Sequence, residues 1–343
     1  MRKRGLCLAC LLLVLGGCGF GEIKSTYQKG LEALEAGEYE TAVSSMDQAI
    51  QEEYRLPEAY RAKGIASIAL GDYPAAIAAL QRSLNALDMS NESFERDTLY
   101  YLAEARNAYG EPAKALEVYG EILSRREEWQ AYYLRGETYF KLGRYQEAAA
   151  DFTSAVANSE DYELYFQIYQ LYAGTSREND GTVYLEKALE IPNSTAEGYY
   201  NRGRAYYYMK EYEKAEQELK EAMNQESPEA MLLLGKVYLV KKDTDSARAM
   251  YQQALQREDQ KAQAYNGLAL CDMAEENYDA ALDNIQKGLA QEGADRQPLL
   301  FNEIVAYEHK LDFAMAKEKM EDYLALYPDD EAAQREAQFL ESR

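Results

Sequence analysis

The chain has 343 residues, of which 60 are acidic and 37 are basic, giving a formal net charge of −23 at pH 7. So acidic a surface repels phosphates and anionic headgroups, which argues against nucleic acid and a bare lipid surface as partners. With one histidine and four cysteines, the sequence also offers no cluster of zinc ligands.

The first 18 residues have the order of a secretory signal. Basic residues at positions 2–4 precede an uncharged, mostly apolar run of 13 residues, 5–17, and then Cys18. A helix needs about 20 apolar residues to cross a membrane, so this run is too short to remain as an anchor. The sequence Leu15-Gly16-Gly17-Cys18 resembles the bacterial lipobox, which implies lipid transfer to the Cys18 thiol and cleavage before it. An ordinary secretory signal that contains a cysteine is the alternative.

This resemblance predicts a lipoprotein signal peptide at 1–17 and a lipidated Cys18 with a short tether at 18–22. Two acyl chains are enough for stable anchoring. The mature chain is therefore expected on the extracytoplasmic side of a bacterial membrane, either the outer membrane or the outer leaflet of the cytoplasmic membrane. Only Cys271 would then keep a free thiol, so no internal disulfide is possible.

An internal repeat organises the rest of the sequence. Four segments align, at 30–50, 64–84, 136–156 and 203–223, and each has a small residue, a turn, a tyrosine and then an alanine three places on. This pattern resembles the tetratricopeptide repeat (TPR). The residues that match the TPR pattern most fully are Tyr132, Gly136, Tyr139, Ala148, Phe152 and Ala155.

The register extends to nine units over residues 23–327. They begin near Ile23, Pro57, Arg96, Trp129, Tyr162, Ala196, Pro228, Ala262 and Gln297. An insertion at 88–97 precedes the third unit, and the fifth has Gly181 where alanine is expected. Residues 328–343 are predicted to be a capping helix, with Asp329 or Asp330 at its start. The predicted fold is all-α, a right-handed superhelical solenoid of about nine helix-turn-helix units.

Small residues support this register on physical grounds. Glycine inside a helix costs about 1 kcal/mol relative to alanine, so recurring helical glycines indicate close contact between the two helices of each unit. These glycines are Gly30, Gly64, Gly136, Gly203 and Gly235. Alanines are expected to face them from the second helix at positions 42, 76, 115, 148, 215, 247, 281 and 316. Left-handed helix ends are expected at Gly37, Gly71, Gly110 and Gly143.

The sequence does not indicate an enzyme, a metal site or a cofactor. Cys271 and His309 fall on the first helices of adjacent units and could in principle form a nucleophilic pair. A buried thiol that acts as a small hydrophobic side chain is the favoured interpretation. No calcium-binding loop, phosphate-binding glycine loop or nucleophile elbow is present in the sequence.

Binding is better supported. The resemblance to TPR proteins implies that the first helix of each unit lines a concave groove and that its fifth residue points inward. Six of the nine residues at this position are aromatic: Tyr27, Arg61, Tyr100, Tyr133, Phe166, Tyr200, Leu232, Asn266 and Phe301. Rigid rings of this kind often dominate recognition. Core packing is the alternative, and it is the favoured interpretation for a neighbouring tyrosine stripe at 162, 165, 169 and 172.

The sharpest candidate is the segment 199–210, in which Tyr200, Arg204, Tyr207 and Tyr208 share one helical face. Arg204, with Lys236 in the next unit, could bind a carboxylate. The predicted partner-binding residues are Tyr100, Tyr133, Phe166, Tyr200, Arg204, Tyr207, Tyr208 and Lys236. The sequence thus predicts a membrane-anchored scaffold or assembly adaptor that binds envelope proteins or peptides. Capture of a small molecule or polysaccharide by the aromatic groove is the alternative.

Overall fold

A computed structural model describes residues 26–87, 91–157 and 159–343. These residues form two compact units, an N-terminal unit of residues 26–181 and a C-terminal unit of residues 182–343. The described part of the chain contains helices and no strand, which confirms the all-α prediction. None of its helices is long and apolar enough to cross a membrane. The predicted signal peptide at 1–17, Cys18 and the tether at 18–22 lie outside the described residues.

The N-terminal unit holds nine complete helices and the start of a tenth, α10, within which the two units divide. In chain order the helices are α1 Thr26–Glu35, α2 Tyr39–Gln51, α3 Leu56–Ala69, α4 Tyr73–Asn85, α5 Glu92–Ala108, α6 Pro112–Arg125, α7 Trp129–Lys141, α8 Tyr145–Val156, α9 Tyr162–Tyr172 and α10 Glu178–Leu189. The first eight pair as consecutive hairpins that pack side by side.

The C-terminal unit continues the same order. Its helices are α11 Ala196–Tyr208, α12 Tyr212–Asn224, α13 Ala230–Val240, α14 Thr244–Ala254, α15 Lys261–Ala274, α16 Tyr278–Leu289, α17 Arg296–His309, α18 Phe313–Leu326 and α19 Glu331–Glu341. A short 3-10 helix, Glu258–Gln260, precedes α15. Four hairpins and the final helix α19 therefore follow α10, as the predicted register requires.

In two repeat units, the first helix begins at a different residue from the predicted start of the unit. α5 begins at Glu92, four residues before the predicted Arg96, because the Asn91 side chain accepts a hydrogen bond from the Phe94 amide at 3.1 Å. This cap fixes the start of the helix one turn early. α13 begins at Ala230, two residues after Pro228. At α19, Asp330 is the residue that caps the helix, accepting from the Ala332 and Ala333 amides at 3.0 and 3.1 Å.

Close contact within each hairpin explains the recurring small residues. A Cβ atom added to Gly64 would lie 2.6 Å from Leu80 Cγ, and one added to Gly203 would lie 2.6 Å from Leu219 Cγ. Any larger side chain would push the two helices apart. All eight predicted alanines are fully buried: Ala42, Ala76, Ala115, Ala148, Ala215, Ala247, Ala281 and Ala316. The predicted close contact within the hairpins is confirmed, and the alanines are buried, although the side chains nearest to Gly64 and Gly203 are leucines.

In both units, the turn inside each hairpin contains one residue in the left-handed backbone conformation. The type of this residue differs between the two units. In the N-terminal unit the turn residues are glycines, such as Gly71 with φ +77° and Gly143 with φ +72°. In the C-terminal unit the equivalent positions carry side chains, as at Lys242 and Leu311, both with φ +61°. These residues adopt a conformation that disfavours a Cβ atom.

Candidate functional site

Residues 199–208 of the candidate segment lie in α11, which Thr195 caps and no proline interrupts, and residues 209 and 210 form the turn after it. The Thr195 hydroxyl accepts a hydrogen bond from the Gly198 amide at 3.2 Å. The buried residues of the helix are Gly198, Asn201, Gly203 and Ala205. The side chains predicted to bind a partner are partly exposed, so α11 presents them at the surface.

Three of these side chains lie together. The rings of Tyr207 and Tyr208 meet edge to face, with 5.8 Å between their centroids. The Arg204 guanidinium carbon lies 6.0 Å from the centroid of the Tyr208 ring, at the limit of a cation–π contact. We call Tyr200, Arg204, Tyr207 and Tyr208 the aromatic face.

The aromatic face packs against buried core residues. Tyr200 and Tyr207 pack against a core cluster that includes Leu219, Leu234 and Tyr251. Burial raises the pKa of Tyr207, and the nearby Tyr212 and Tyr208 add to that effect. Tyr207 is therefore a neutral ring at physiological pH, held in place by the core behind it. A preorganised ring loses little conformational entropy when a ligand binds.

Lys236 adds a positive charge on the next first helix, α13, which contacts α11. Its side chain is exposed and forms neither a hydrogen bond nor an ion pair with any described residue. Among the described residues, Lys236 forms no hydrogen bond, ion pair or ring contact with the aromatic face. Lys236 is thus available to a partner that lies across α11 and α13.

Arg202, two residues before Arg204, has a structural role instead. Its Nε atom donates to Glu218 at 2.9 Å, and its guanidinium also donates to the Asn193 carbonyl and lies 4.6 Å from the Tyr199 ring centroid. These contacts join α11 to α12 and to the segment before it. The two arginines of this helix therefore face different surroundings, and only Arg204 belongs to the aromatic face.

The residues at the fifth position of the first helices are less exposed in the N-terminal unit. Tyr100 is half-buried, and its hydroxyl donates to Glu128 at 3.0 Å. Burial, followed by that hydrogen bond, raises the pKa of Tyr100. Tyr133 is buried and its ring lies 6.1 Å from that of Phe152.

Phe166 is fully buried, so its ring is not exposed to a ligand in this structure, and its predicted role in partner binding stays a prediction. α9 is apolar on nearly every side and packs as a core helix. The tyrosine stripe of α9 is buried, which confirms its predicted packing role; it consists of Tyr162, Tyr165, Tyr169 and Tyr172.

Cys271 and His309 do not form a nucleophilic pair. The Cys271 thiol is buried, and burial raises its pKa to about 11, which suppresses the reactive thiolate. The His309 ring stacks on Tyr278 with 5.5 Å between centroids. Within the described ranges, no group of three or more His, Cys, Asp or Glu side chains is arranged to hold a metal ion.

One polar contact was not predicted from the sequence. The Arg61 guanidinium carbon lies 3.7 Å from the centroid of the Phe94 ring, so the two groups are stacked. An arginine that interrupts a run of aromatic residues at the fifth position is the signal that could have drawn attention to it. Phe94 lies before the predicted start of its unit, which is why its ring was not expected there.

The chain matches known proteins over most of its length. The family model described as a tetratricopeptide repeat matches residues 27–92, 100–163, 200–262 and 232–297, which is more than half of the chain. A BBSome complex member BBS4 homolog of Drosophila melanogaster is 23% identical over 246 residues, 67% of this chain and 50% of that protein. An Hsp70-Hsp90 organizing protein of Triticum aestivum is 26% identical over 191 residues, 53% of this chain and 31% of that protein. The chain thus spans half or less of the length of these two curated relatives.

A solved structure shows the same fold. Yeast Tom70 superposes with a TM-score of 0.53 and 15% sequence identity, covering 91% of this chain and 79% of that one. At this identity the likeness shows the fold alone, an array of helical hairpins.

Proposed function

The chain belongs to the tetratricopeptide repeat family, and from this premise we propose that it is a lipid-anchored scaffold that binds envelope proteins or their peptide segments. The aromatic face of α11 carries the proposal. It combines half-buried tyrosine rings with Arg204 on a base of packed core residues. Amphipathic rings beside a cation are the side chains that most often dominate protein recognition.

The charge distribution supports a polypeptide partner with acidic or carboxylate groups. Arg204 and the unpaired Lys236 present positive charge on neighbouring first helices of a strongly acidic chain. A local cation in such surroundings favours an anionic group over a cationic one. A partner that crosses α11 and α13 would contact the aromatic face and Lys236 in turn.

The named relatives are consistent with an assembly role. One is a member of a complex, the BBSome, and the other organises Hsp70 and Hsp90, as their names state. Neither relative is matched over its full length. From this similarity we therefore propose only protein binding in general, without a specific partner.

Placement at the envelope is a separate part of the proposal and rests on the N-terminal sequence. The order of charge, apolar run, small residues and Cys18 supports a lipid anchor on the extracytoplasmic side of a bacterial membrane. With only four residues, Gly19–Glu22, between the lipid and the first predicted unit, the tether reaches about 14 Å at most. The repeats would then begin next to the membrane, where their partners would be found.

Capture of a polysaccharide or other small ligand is the second candidate. The edge-to-face pair of Tyr207 and Tyr208 favours it, because exposed rings stack on sugar faces. This candidate predicts saturable binding of a low-mass compound that depends on these rings alone. Protein binding predicts that Lys236, on the next helix, contributes as well.

A site-specific crosslinking experiment tests the proposal. A photoreactive phenylalanine derivative replaces Lys236 in the full chain in host membranes, and the same derivative replaces Lys287 on α16 as the control. A protein crosslinked at 236 but not at 287 is then purified and titrated against wild type, Arg204→Ala/Tyr208→Ala and the control Arg335→Ala. We expect at least about tenfold weaker binding by the double variant alone. The same crosslinks at both positions, or equal affinities, would overturn the proposal.

A further inference from the structure

One edge of the N-terminal unit carries a row of exposed apolar side chains. Leu70, Tyr109 and Leu142 directly follow the first helices α3, α5 and α7, and they are 40%, 51% and 44% exposed. The three hairpins pack side by side, so these side chains follow one another along one edge, which we call the apolar row. Single exposed apolar side chains are ordinary on a protein surface, whereas a row of them indicates an interaction surface.

The left-handed turns do not themselves require an apolar residue at this place. In three hairpins of the C-terminal unit, the residue immediately before the left-handed one is charged: Lys241, Glu275 and Lys310. Beside the apolar row the left-handed residues are glycines. A Cβ atom added to Gly71, Gly110 or Gly143 would meet no atom within 4 Å. A second chain could therefore approach the backbone of these turns closely.

The charged residues that follow the turns change sign along the same edge. They are acidic at the first two turns, Glu38 and Asp72, and basic at the turns before α8 and α10, Arg144 and Arg177. The two acidic residues form no ion pair with any described residue. Each arginine forms an ion pair with an exposed carboxylate three residues further along the chain. Exposed pairs of this kind contribute little to stability, so both arginines can bind another carboxylate.

A second copy of this edge, turned by a two-fold rotation, matches the first copy. With the axis at Tyr109 of the middle hairpin, Leu70 of one copy faces Leu142 of the other. The same rotation places Asp72 of each copy opposite Arg144 of the other. An interface with two-fold symmetry must be self-complementary in this way.

The outer and central charges fit the same arrangement. Glu38, one hairpin before Asp72, then lies opposite Arg177 of the second copy. Two Glu111 side chains meet near the axis, and each is paired with Lys114 of its own copy at 2.6 Å. Their repulsion is therefore reduced within each copy.

We propose that the chain forms an antiparallel dimer through this edge, with a second copy as the occupant of the apolar row. An interface with three apolar side chains from each copy is small, so we expect a weak dimer with a Kd of about 1 μM or above. The inference does not rest on the proposed function, because the aromatic face lies in the C-terminal unit. Arg204→Ala/Tyr208→Ala should leave the dimer intact.

Site-specific crosslinking tests whether a second copy occupies the row. A photoreactive phenylalanine derivative replaces Tyr109 in the full chain in host membranes, and Lys241 in the matched control. We expect a crosslinked dimer from position 109 alone, joined to the α5–α6 hairpin of the other copy. The derivative at Leu70 should instead crosslink to the α7–α8 hairpin. A different protein crosslinked at 109, no dimer, or an equal yield of dimer from 241 would overturn the proposal.

Charge reversal tests the antiparallel register. Asp72→Arg and Arg144→Asp each bring like charges together, so each variant should self-associate at least about tenfold more weakly than wild type. An equimolar mixture of the two should form a heterodimer, and Asp72→Arg/Arg144→Asp should recover wild-type affinity within about threefold. Sedimentation equilibrium of the full chain in detergent measures these affinities. A monomeric wild type, or failure of the mixture or of the double variant to associate, would overturn the proposal.

The lost helix cap in Asp72→Arg needs its own control. Asp72 accepts a hydrogen bond from the Ala75 amide at 3.1 Å, and Asp243, at the same place in the C-terminal unit, accepts one from the Ser246 amide at 3.1 Å. Asp243→Arg loses an equivalent cap and should keep wild-type association. Circular dichroism checks that the variants keep their helix content. Equally weak association in Asp243→Arg would show that the cap and not the interface is responsible, and would overturn the proposal.

Discussion

Arg135 on α7 holds the Asp151 carboxylate of α8 through two hydrogen bonds, each 2.7 Å long. This forked geometry joins the two helices of one hairpin on the side where Asp151 is buried. Buried carboxylates are tolerated only when paired, because their desolvation is not otherwise offset.

Removing the arginine should therefore destabilise the protein. We expect Arg135→Ala to lower the free energy of unfolding by about 2–3 kcal/mol, since it leaves the Asp151 charge buried and unpaired. Urea unfolding followed by circular dichroism measures this change. Arg135→Ala/Asp151→Ala should cost less than the sum of the two single substitutions. The exposed pair Lys287–Asp283, 2.6 Å apart, is the control, and Lys287→Ala should have no measurable effect. Additive costs at Arg135 and Asp151 would contradict the coupling.

The left-handed turns of the C-terminal unit predict a stabilising substitution. Lys242 has φ +61°, where a side chain costs about 1 kcal/mol relative to glycine. Lys242→Gly should accordingly raise the free energy of unfolding by up to about 1 kcal/mol, less the extra entropy that glycine adds to the unfolded chain.

The reverse change in the N-terminal unit is the control. Gly71 has φ +77°, and a Cβ atom there would meet no atom within 4 Å, so Gly71→Ala tests conformation without steric overlap. It should lower the free energy of unfolding by about 1 kcal/mol. If neither substitution changes the denaturation midpoint, the backbone conformation at these turns is not a source of strain.

The hairpin order could be predicted from the sequence because its determinants are local. Small residues such as Gly64 and Ala76 mark the contact of two helices, and Gly71 marks the turn between them. Each acts within about 20 residues of chain, so a repeat of fixed length displays them in phase.

The surface was harder to predict because it depends on neighbouring helices. The fifth position was expected to point into a groove in every unit, yet Phe166 is fully buried in an apolar helix. The contact of Arg61 with Phe94 arises because α5 begins one turn early at the Asn91 cap. A repeat register carries no information about a helix that starts outside it.

The anchor prediction is tested by changing Cys18. A diacylated cysteine binds membranes stably, since each buried CH₂ group contributes about 0.8 kcal/mol. In the host, Cys18→Ser should abolish labelling by an alkyne analogue of palmitate and release the chain from the membrane fraction. Cys271→Ser should change neither result, because that thiol is buried. Equal labelling of wild type and Cys18→Ser would mean that the lipobox resemblance is misleading.

Glu308 on α17 predicts a pH dependence of stability. Burial first, and then the charge of Glu336 on α19 and a hydrogen bond to it, raise the pKa of Glu308 from 4.5 to about 7. One of its carboxyl oxygens is buried without a hydrogen-bond partner. A protonated Glu308 therefore suits the folded state better than an ionised one.

The direction in which stability changes with pH follows from proton binding. Between pH 4.5 and about 7 the folded state holds a proton on Glu308 that the unfolded state has lost, so stability from this group falls as the pH rises. Glu308→Gln, which stays neutral, should reduce the loss of unfolding free energy between about pH 5 and about pH 8. Thermal unfolding at both pH values, with the exposed Glu331→Gln as the control, measures the difference. An equal pH dependence in wild type and Glu308→Gln would show that Glu308 ionises normally in the folded protein.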